Sequence, residues 1–187
     1  EDMVKMRPNE IARKLEEGDY KQDINELGSK YDGVELVELA LVRNLSRSMR
    51  KLIEIAPEEL KPVISSYLRR YDIKSFKRIL RWKKDEGDGL KDLLTPVGRY
   101  DQQELLELSE KEFEEICDAI KFPGSDIDYQ SYIEDAENLK EIERNLDRAY
   151  YDEMEKISKQ IGSIWFRKFI DREAEFENIK IAIRLLK

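Results

Sequence analysis

The sequence predicts an all-α protein made of two similar helical units of about a hundred residues each. Three observations carry that reading. Apolar residues recur at spacings of three and four, alternating β-branched runs bounded by turn residues are absent, and motifs of the first half return in the second. A chain of 187 residues can bury a core as one domain or two small ones. Its 41% charged residues suit amphipathic helices with wide solvated faces. The chain starts at Glu1 rather than Met, so further residues are expected before it.

Taken in order, RPNEIARKLEEGDY opens with Pro8 and Asn9 and closes near Gly18, which marks a short helix. Val34, Val37, Leu41, Leu45, Met49 and Leu52 trace the apolar face of a second. Pro57 opens a further helix, and Pro62 inside it predicts a kink or a later start. Ile73, Phe76 and Leu80 give the apolar face of the next helix, ending before DEGDG. EGDGLKDLLTPVGRYD breaks the pattern with Gly and Pro. Glu104 to Ile120 reads as one or two helices, and KFPGSDID as a second break. From Ile133 to Ile161 the stripe Ile133, Ala136, Leu139, Ile142, Leu146, Tyr150, Met154, Ile157 and Ile161 is the longest in the chain. At 1.5 Å per residue that helix would run about 40 Å. Two short helices are expected to follow, around Trp165 and from Phe176 to the end.

The repeat is visible in three places. RNLSR, Arg43 to Arg47, returns as RNLDR, Arg144 to Arg148, a shift of 101 residues. Glu10 and Ile11 return as Glu112 and Phe113, a shift of 102. Lys77, Arg81 and Lys84 return as Lys180, Arg184 and Lys187, a shift of 103. The order of the matches and their slow drift place a first unit at residues 1–87 and a second at 88–187, with the boundary near DEGDGLKDLLTPVG.

Composition removes several chemistries. The chain has no His, which excludes Ser-His-Asp and Cys-His nucleophiles and His-ligated metal sites. It has one cysteine, so no internal disulfide forms, and Cys117 at an apolar helical position is expected to be a buried structural thiol. No apolar run approaches the ~20 residues that span a bilayer. No GxxxxGKS-type phosphate loop is present, and the Glu58-Glu59 and Glu114-Glu115 pairs are adjacent, so they diverge on a helix. The expectation is a protein without catalytic, cofactor or metal residues.

The cations are unevenly placed. In a chain with 34 Lys and Arg against 42 Asp and Glu, YDIKSFKRILRWKK is the most basic stretch. Arg70, Lys74, Lys77, Arg81 and Lys84 fall on one side of a helix, opposite Ile73, Phe76 and Leu80. Three readings stand side by side: a solvated face with internal ion pairs, as in a generic helical adaptor; contact with an acidic protein; or a nucleic-acid surface. The net charge of −8 and the placement of Tyr71, Phe76 and Trp82 largely off the basic face weigh against the last. Lys77, Arg81 and Lys84, with Lys180, Arg184 and Lys187, are the candidate partner-contact residues.

LRRYDIKSFKRILRWKK followed by GLKDLLTPVG resembles the C subunit of archaeal A-type ATP synthases, a family that includes the AC39 (d) subunit of V-type ATPases. Asp72, Lys77, Arg81, Lys83 and Lys84 fit the family pattern, while Ser75 stands where Asn is usual and Asn178 restores it in the second copy. MRPNEIARKLEEGDYKQDINELG, VELALVRNLSRSMRKLI and ENLKEIERNLDRAYYDEM extend the resemblance over nearly the whole chain. It implies a non-catalytic central-stalk part in which three such units form a pseudo-threefold funnel. That funnel would sit on the proteolipid rotor ring at the cytoplasmic face of the membrane and receive the foot of the central axle. It would couple ion flow to ATP synthesis, or ATP turnover to ion transport, with no cofactor, small-molecule substrate or nucleic acid. The resemblance covers two of the three units, so a piece of a longer protein is expected.

Overall fold

The computed structural model describes residues 5–85 and 94–185, with the side chains of Asp85, Ile181, Arg184 and Leu185 left aside. Lys187 and most of the expected boundary segment lie outside the described residues. Among the described residues the chain is all helix and turn, with no strand. The helices are α1 (Pro8–Glu16), α2 (Lys21–Leu27), α3 (Gly33–Ile55), α4 (Lys61–Asp85), α5 (Gln102–Ser109), α6 (Phe113–Ala119), α7 (Gln130–Ile133), α8 (Leu139–Ile161) and α9 (Ile164–Leu185).

α2 was not expected from the sequence, and three further helices differ in extent from the expectation, each for a local reason. α4 is one continuous helix: it takes the later start, so that Pro62 falls in the first turn, where a missing N–H costs nothing. α8 starts at Leu139 rather than Ile133, because the Asn138 side chain accepts from Glu141 N at 3.1 Å and caps a new helix there. The stripe runs on across that gap because Ile133, on the short α7, is buried in the same core. α9 is a single helix of 22 residues instead of two, there being no Gly or Pro between Trp165 and Phe176 to break it.

Burial divides into two clusters. Ala12, Ile24, Leu36 and Ala40 form a small one that holds α1 and α2 against α3. The large one gathers Ile73, Phe76, Ile79 and Leu80 of α4 with Leu105, Ile116, Phe122 and Tyr129, with Ile142, Leu146 and Met154 of α8, and with Ile170 of α9. Phe76 packs edge-on against Tyr100 and Phe122, with centroids 5.3 and 6.0 Å away. The sequence repeat and the packing are therefore different divisions: α4, which closes the first copy in sequence, shares its core with the second. The stripe read on α3 is also turned differently. Leu36, Ala40 and Ser46 are its buried residues, whereas Val34, Leu41 and Leu52 are 58%, 41% and 42% exposed. Cys117 is half-buried rather than fully buried.

α8 ends on Gly162 at φ +67°, a left-handed residue that turns the chain into α9. No atom lies within 4 Å of where a Cβ would stand at Gly162, so backbone strain alone opposes a side chain there. Gly162→Ala is expected to lower unfolding stability by about 1 kcal/mol in a denaturant titration, with helix content unchanged.

Candidate functional site

The α4 stripe resolves into ion pairs to its neighbours. Arg70 pairs with Glu173 of α9, and the Tyr67 hydroxyl donates to the same carboxylate at 3.1 Å. Lys77, whose side chain is 13% exposed, pairs with Asp147 of α8. Arg81 donates to both oxygens of Glu143 on α8, one at 2.6 Å. Lys74 lies over the Tyr71 ring, 5.5 Å from its centroid, and Lys84 is exposed near the end of the helix. Of the second-copy candidates, Lys180 pairs with Glu177 one turn earlier on α9. The Arg184 side chain and Lys187 lie outside the described residues.

A buried ion pair made by α4 was not singled out by sequence reasoning. Arg69 donates to Glu153 Oε1, and the Tyr129 hydroxyl donates to Glu153 Oε2 at 2.8 Å, all three side chains being buried. The Arg69 guanidinium lies 5.0 Å from the Phe122 centroid. Burial, with the Glu153 carboxylate beside it, pushes the Tyr129 hydroxyl far above its ordinary pKa, so it stays a donor. The signal was present: Glu153 interrupts the apolar stripe of α8 between Tyr150 and Met154, and an acid inside such a stripe needs a buried cation.

Asp72 does a different task. Its carboxylate accepts Arg99 N at 2.9 Å and Tyr100 N at 3.2 Å, which pins the segment after Leu94 to α4. Gly98 is needed for this, since a Cβ there would collide with the Asp72 carboxylate. Burial raises the Asp72 pKa to about 6, against the lowering effect of the two N–H donors.

The RNL repeat has a shared physical job. Asn44 of α3 donates its amide to Asp19 O at 3.2 Å, and Asn145 of α8 donates to Tyr132 O at 2.8 Å. In each copy the long helix is tied to a carbonyl of the segment before it. The flanking arginines pair with carboxylates: Arg43 with Glu26, Arg47 with buried Asp23, Arg144 with Glu141 and Arg148 with Asp152.

A groove of about 910 Å³ runs between α2, α3 and residues 94–103. It carries both signs of charge, with Lys30, Arg43 and Arg50 facing Glu26, Glu54 and Asp101. Ser46 bridges its two sides by donating to Pro96 O at 2.5 Å. Burial and the neighbouring Asp118 and Glu114 carboxylates push the Cys117 thiol up, away from a reactive thiolate. Among the described residues no group of Cys, Asp and Glu is placed to hold a metal ion, and no helix is long and apolar enough to cross a membrane.

The conspicuous charges of this all-helical chain thus join helix to helix. The family model described as ATP synthase (C/AC39) subunit matches residues 1–187, and the chain belongs to that family. It is 41% identical over 191 aligned positions to the C subunit of the A-type ATP synthase of Methanococcoides burtonii, covering 98% of this chain and 52% of the relative. The corresponding protein of Haloquadratum walsbyi is 34% identical, with 98% and 55% covered, and that of Archaeoglobus fulgidus 32%, with 98% and 54% covered. The chain spans about half the length of these curated relatives. No solved structure matches it.

The raised pKa of Asp72 gives a signed prediction. A carboxyl that titrates near 6 when folded and near 3.8 otherwise favours the folded state once protonated. Its ionisation therefore opposes folding above about pH 6, and the penalty is relieved as pH falls from about 6 towards 3.8. Relative to Asp72→Asn, the wild-type chain should gain roughly 2–3 kcal/mol across that window in pH-resolved denaturant titrations. Parallel pH profiles for the two would contradict the assignment.

Proposed function

We propose that this protein works as a non-catalytic central-stalk component of a rotary A-type or V-type ATP synthase, joining the central axle to the proteolipid ring at the cytoplasmic face of the membrane. It transmits rotation between ion flow and ATP turnover carried out elsewhere in the complex. The observation that carries this reading is the family match over the whole chain, together with relatives that are C subunits of A-type ATP synthases. Long helices cross-linked by ion pairs suit a part that passes torque, since rigidity is what such a part requires.

The candidate contact cations divide under this reading. Lys77 and Arg81 already bind α8, which supports the internal ion-pair explanation for that part of the stripe. Lys84, exposed at the end of α4, is the position we assign to an acidic axle surface, where a rim charge speeds and orients association. Lys180, Arg184 and Lys187 are its repeat counterparts and extend the same proposal.

A tagged full-length protein, isolated from its own cells at native level, is expected to bring down the axle subunits and the proteolipid ring. Nuclease treatment should leave the yield unchanged, and Lys84→Glu should lower axle recovery at moderate salt. Recovery of RNA without those subunits would favour the nucleic-acid alternative and overturn the proposal.

A further inference from the structure

The turn between α8 and α9 shows three large apolar side chains to solvent. Ile161 is 42% exposed, Ile164 71% and Trp165 83%, and they stand where Gly162 turns one helix into the next. The inward side of the same turn is accounted for: Ile157 and Phe166 pack against the large core, and Ile170 is buried in it. Residues 156–170 carry Lys156, Lys159, Arg167 and Lys168 but no Asp or Glu, with Glu155 and Asp171 bounding the stretch. Lys156 pairs with Asp126 and Lys159 with Glu155. Arg167 and Lys168 are exposed and make no ion pair among the described residues. Lys168 lies over the Trp165 ring, 5.9 Å from its centroid.

The sequence repeat does not account for this surface. At a shift of 103, Ile161, Ile164 and Trp165 correspond to Glu58, Lys61 and Pro62. α4 is packed through Leu68, Ile73, Phe76 and Leu80, yet Pro62 stays exposed and Lys61 partly so. Packing of helix on helix in the manner of the repeat therefore leaves this end of the helix uncovered. The α3–α4 turn also has an exposed apolar residue, Ile55 at 79%, but Glu54, Glu58 and Glu59 lie beside it in sequence. The two turns share a place in the repeat and differ in charge.

A Trp and two Ile at a helix turn, with free cations beside them, have the composition that settles where lipid headgroups meet acyl chains. A planar surface reaches all three side chains at once when they stand at the end of a helical hairpin. We propose that the α8–α9 turn is a lipid-contact site, seating Ile161, Ile164 and Trp165 among the headgroups of an anionic bilayer, with Arg167 and Lys168 on the lipid phosphates. Among the described residues no helix can cross a membrane, so the contact is shallow. The net charge of −8 opposes every other approach to such a surface, so binding is oriented, turn first, and weakens with salt. The function proposed above asks only for protein contacts with axle and ring. A protein that joins both but ignores bare lipid would sink this inference and leave that function standing.

The test is flotation of the isolated full-length protein with vesicles of phosphatidylglycerol and phosphatidylcholine in equal parts, against vesicles of phosphatidylcholine alone. The protein should float with the anionic vesicles at low salt, stay behind with the neutral ones, and come off as salt rises. Trp165→Ser, and Arg167→Glu combined with Lys168→Glu, should each weaken binding at least about fivefold. Ile55→Ser, the exposed control on the acidic turn, should leave it unchanged. These side chains are exposed, so helix content and unfolding midpoint should match the wild type in all the variants. No flotation, equal flotation on both kinds of vesicle, or a Trp165→Ser protein that floats like the wild type would overturn the proposal. So would a Trp165→Ser protein that keeps its vesicle affinity but loses a partner subunit in a pull-down, which would mark the turn as a protein contact.

Discussion

The buried pairing of Arg69 with Glu153 sets the arrangement of nearly everything around it. Two charges removed from water are costly, and their attraction offsets that cost only when every remaining donor and acceptor is also satisfied. Here the second oxygen of Glu153 takes the Tyr129 hydroxyl, and the guanidinium lies against the Phe122 ring. Removing either partner would leave an unpaired charge in the core, a loss of about 3–5 kcal/mol. Towards the exposed end of the interface, Lys77 with Asp147 and Arg81 with Glu143 continue the series. Residue numbers rise along α4 as they fall along α8, so the three pairs lock two antiparallel helices in one register. The outer pairs add at most about 1 kcal/mol each, and the inner one sets the alignment.

Once α4 is fixed on α8, the remaining parts follow. Asp72, one turn beyond Arg69, captures the backbone of Arg99 and Tyr100, and Gly98 gives it room. Tyr100 then reaches Phe76, and Phe76 reaches Phe122, closing the apolar cluster around the polar one. Arg70, on the neighbouring face, draws in Glu173 and with it α9. α4 thus serves as the common strut of the large core, while α1 and α2 form a lighter layer on α3. The charged residues that looked like a binding site in the sequence largely join α4 to its neighbouring helices.

How much of this was legible follows from what a sequence encodes. The helices were legible because their apolar spacing is local, and the all-α class with it. The start of α8 was legible too, as Asn138 followed three residues later by Glu141, but the unbroken stripe from Ile133 masked it. The basic stripe was visible, whereas the ion pairs of Arg70, Lys77 and Arg81 were not, because their partners lie roughly sixty to a hundred residues away. The α3 stripe was legible only in part: Val37 packs against the small cluster, whereas Val34, Leu41 and Leu52 are exposed. The letters RNL recur at Asn44 and Asn145, and in the structure each asparagine tethers its long helix to a preceding carbonyl.

α4 thus belongs energetically with α8, although the sequence repeat groups it with α3. Native-state hydrogen exchange across a range of denaturant probes that grouping. The amides of α4 and α8 should open together, at the highest free energy in the chain, while those of α1 and α2 open earlier. Substituting Arg69→Met should lower the α4 and α8 values in step. Amides of α4 that open with those of α3, and independently of α8, would be incompatible with it.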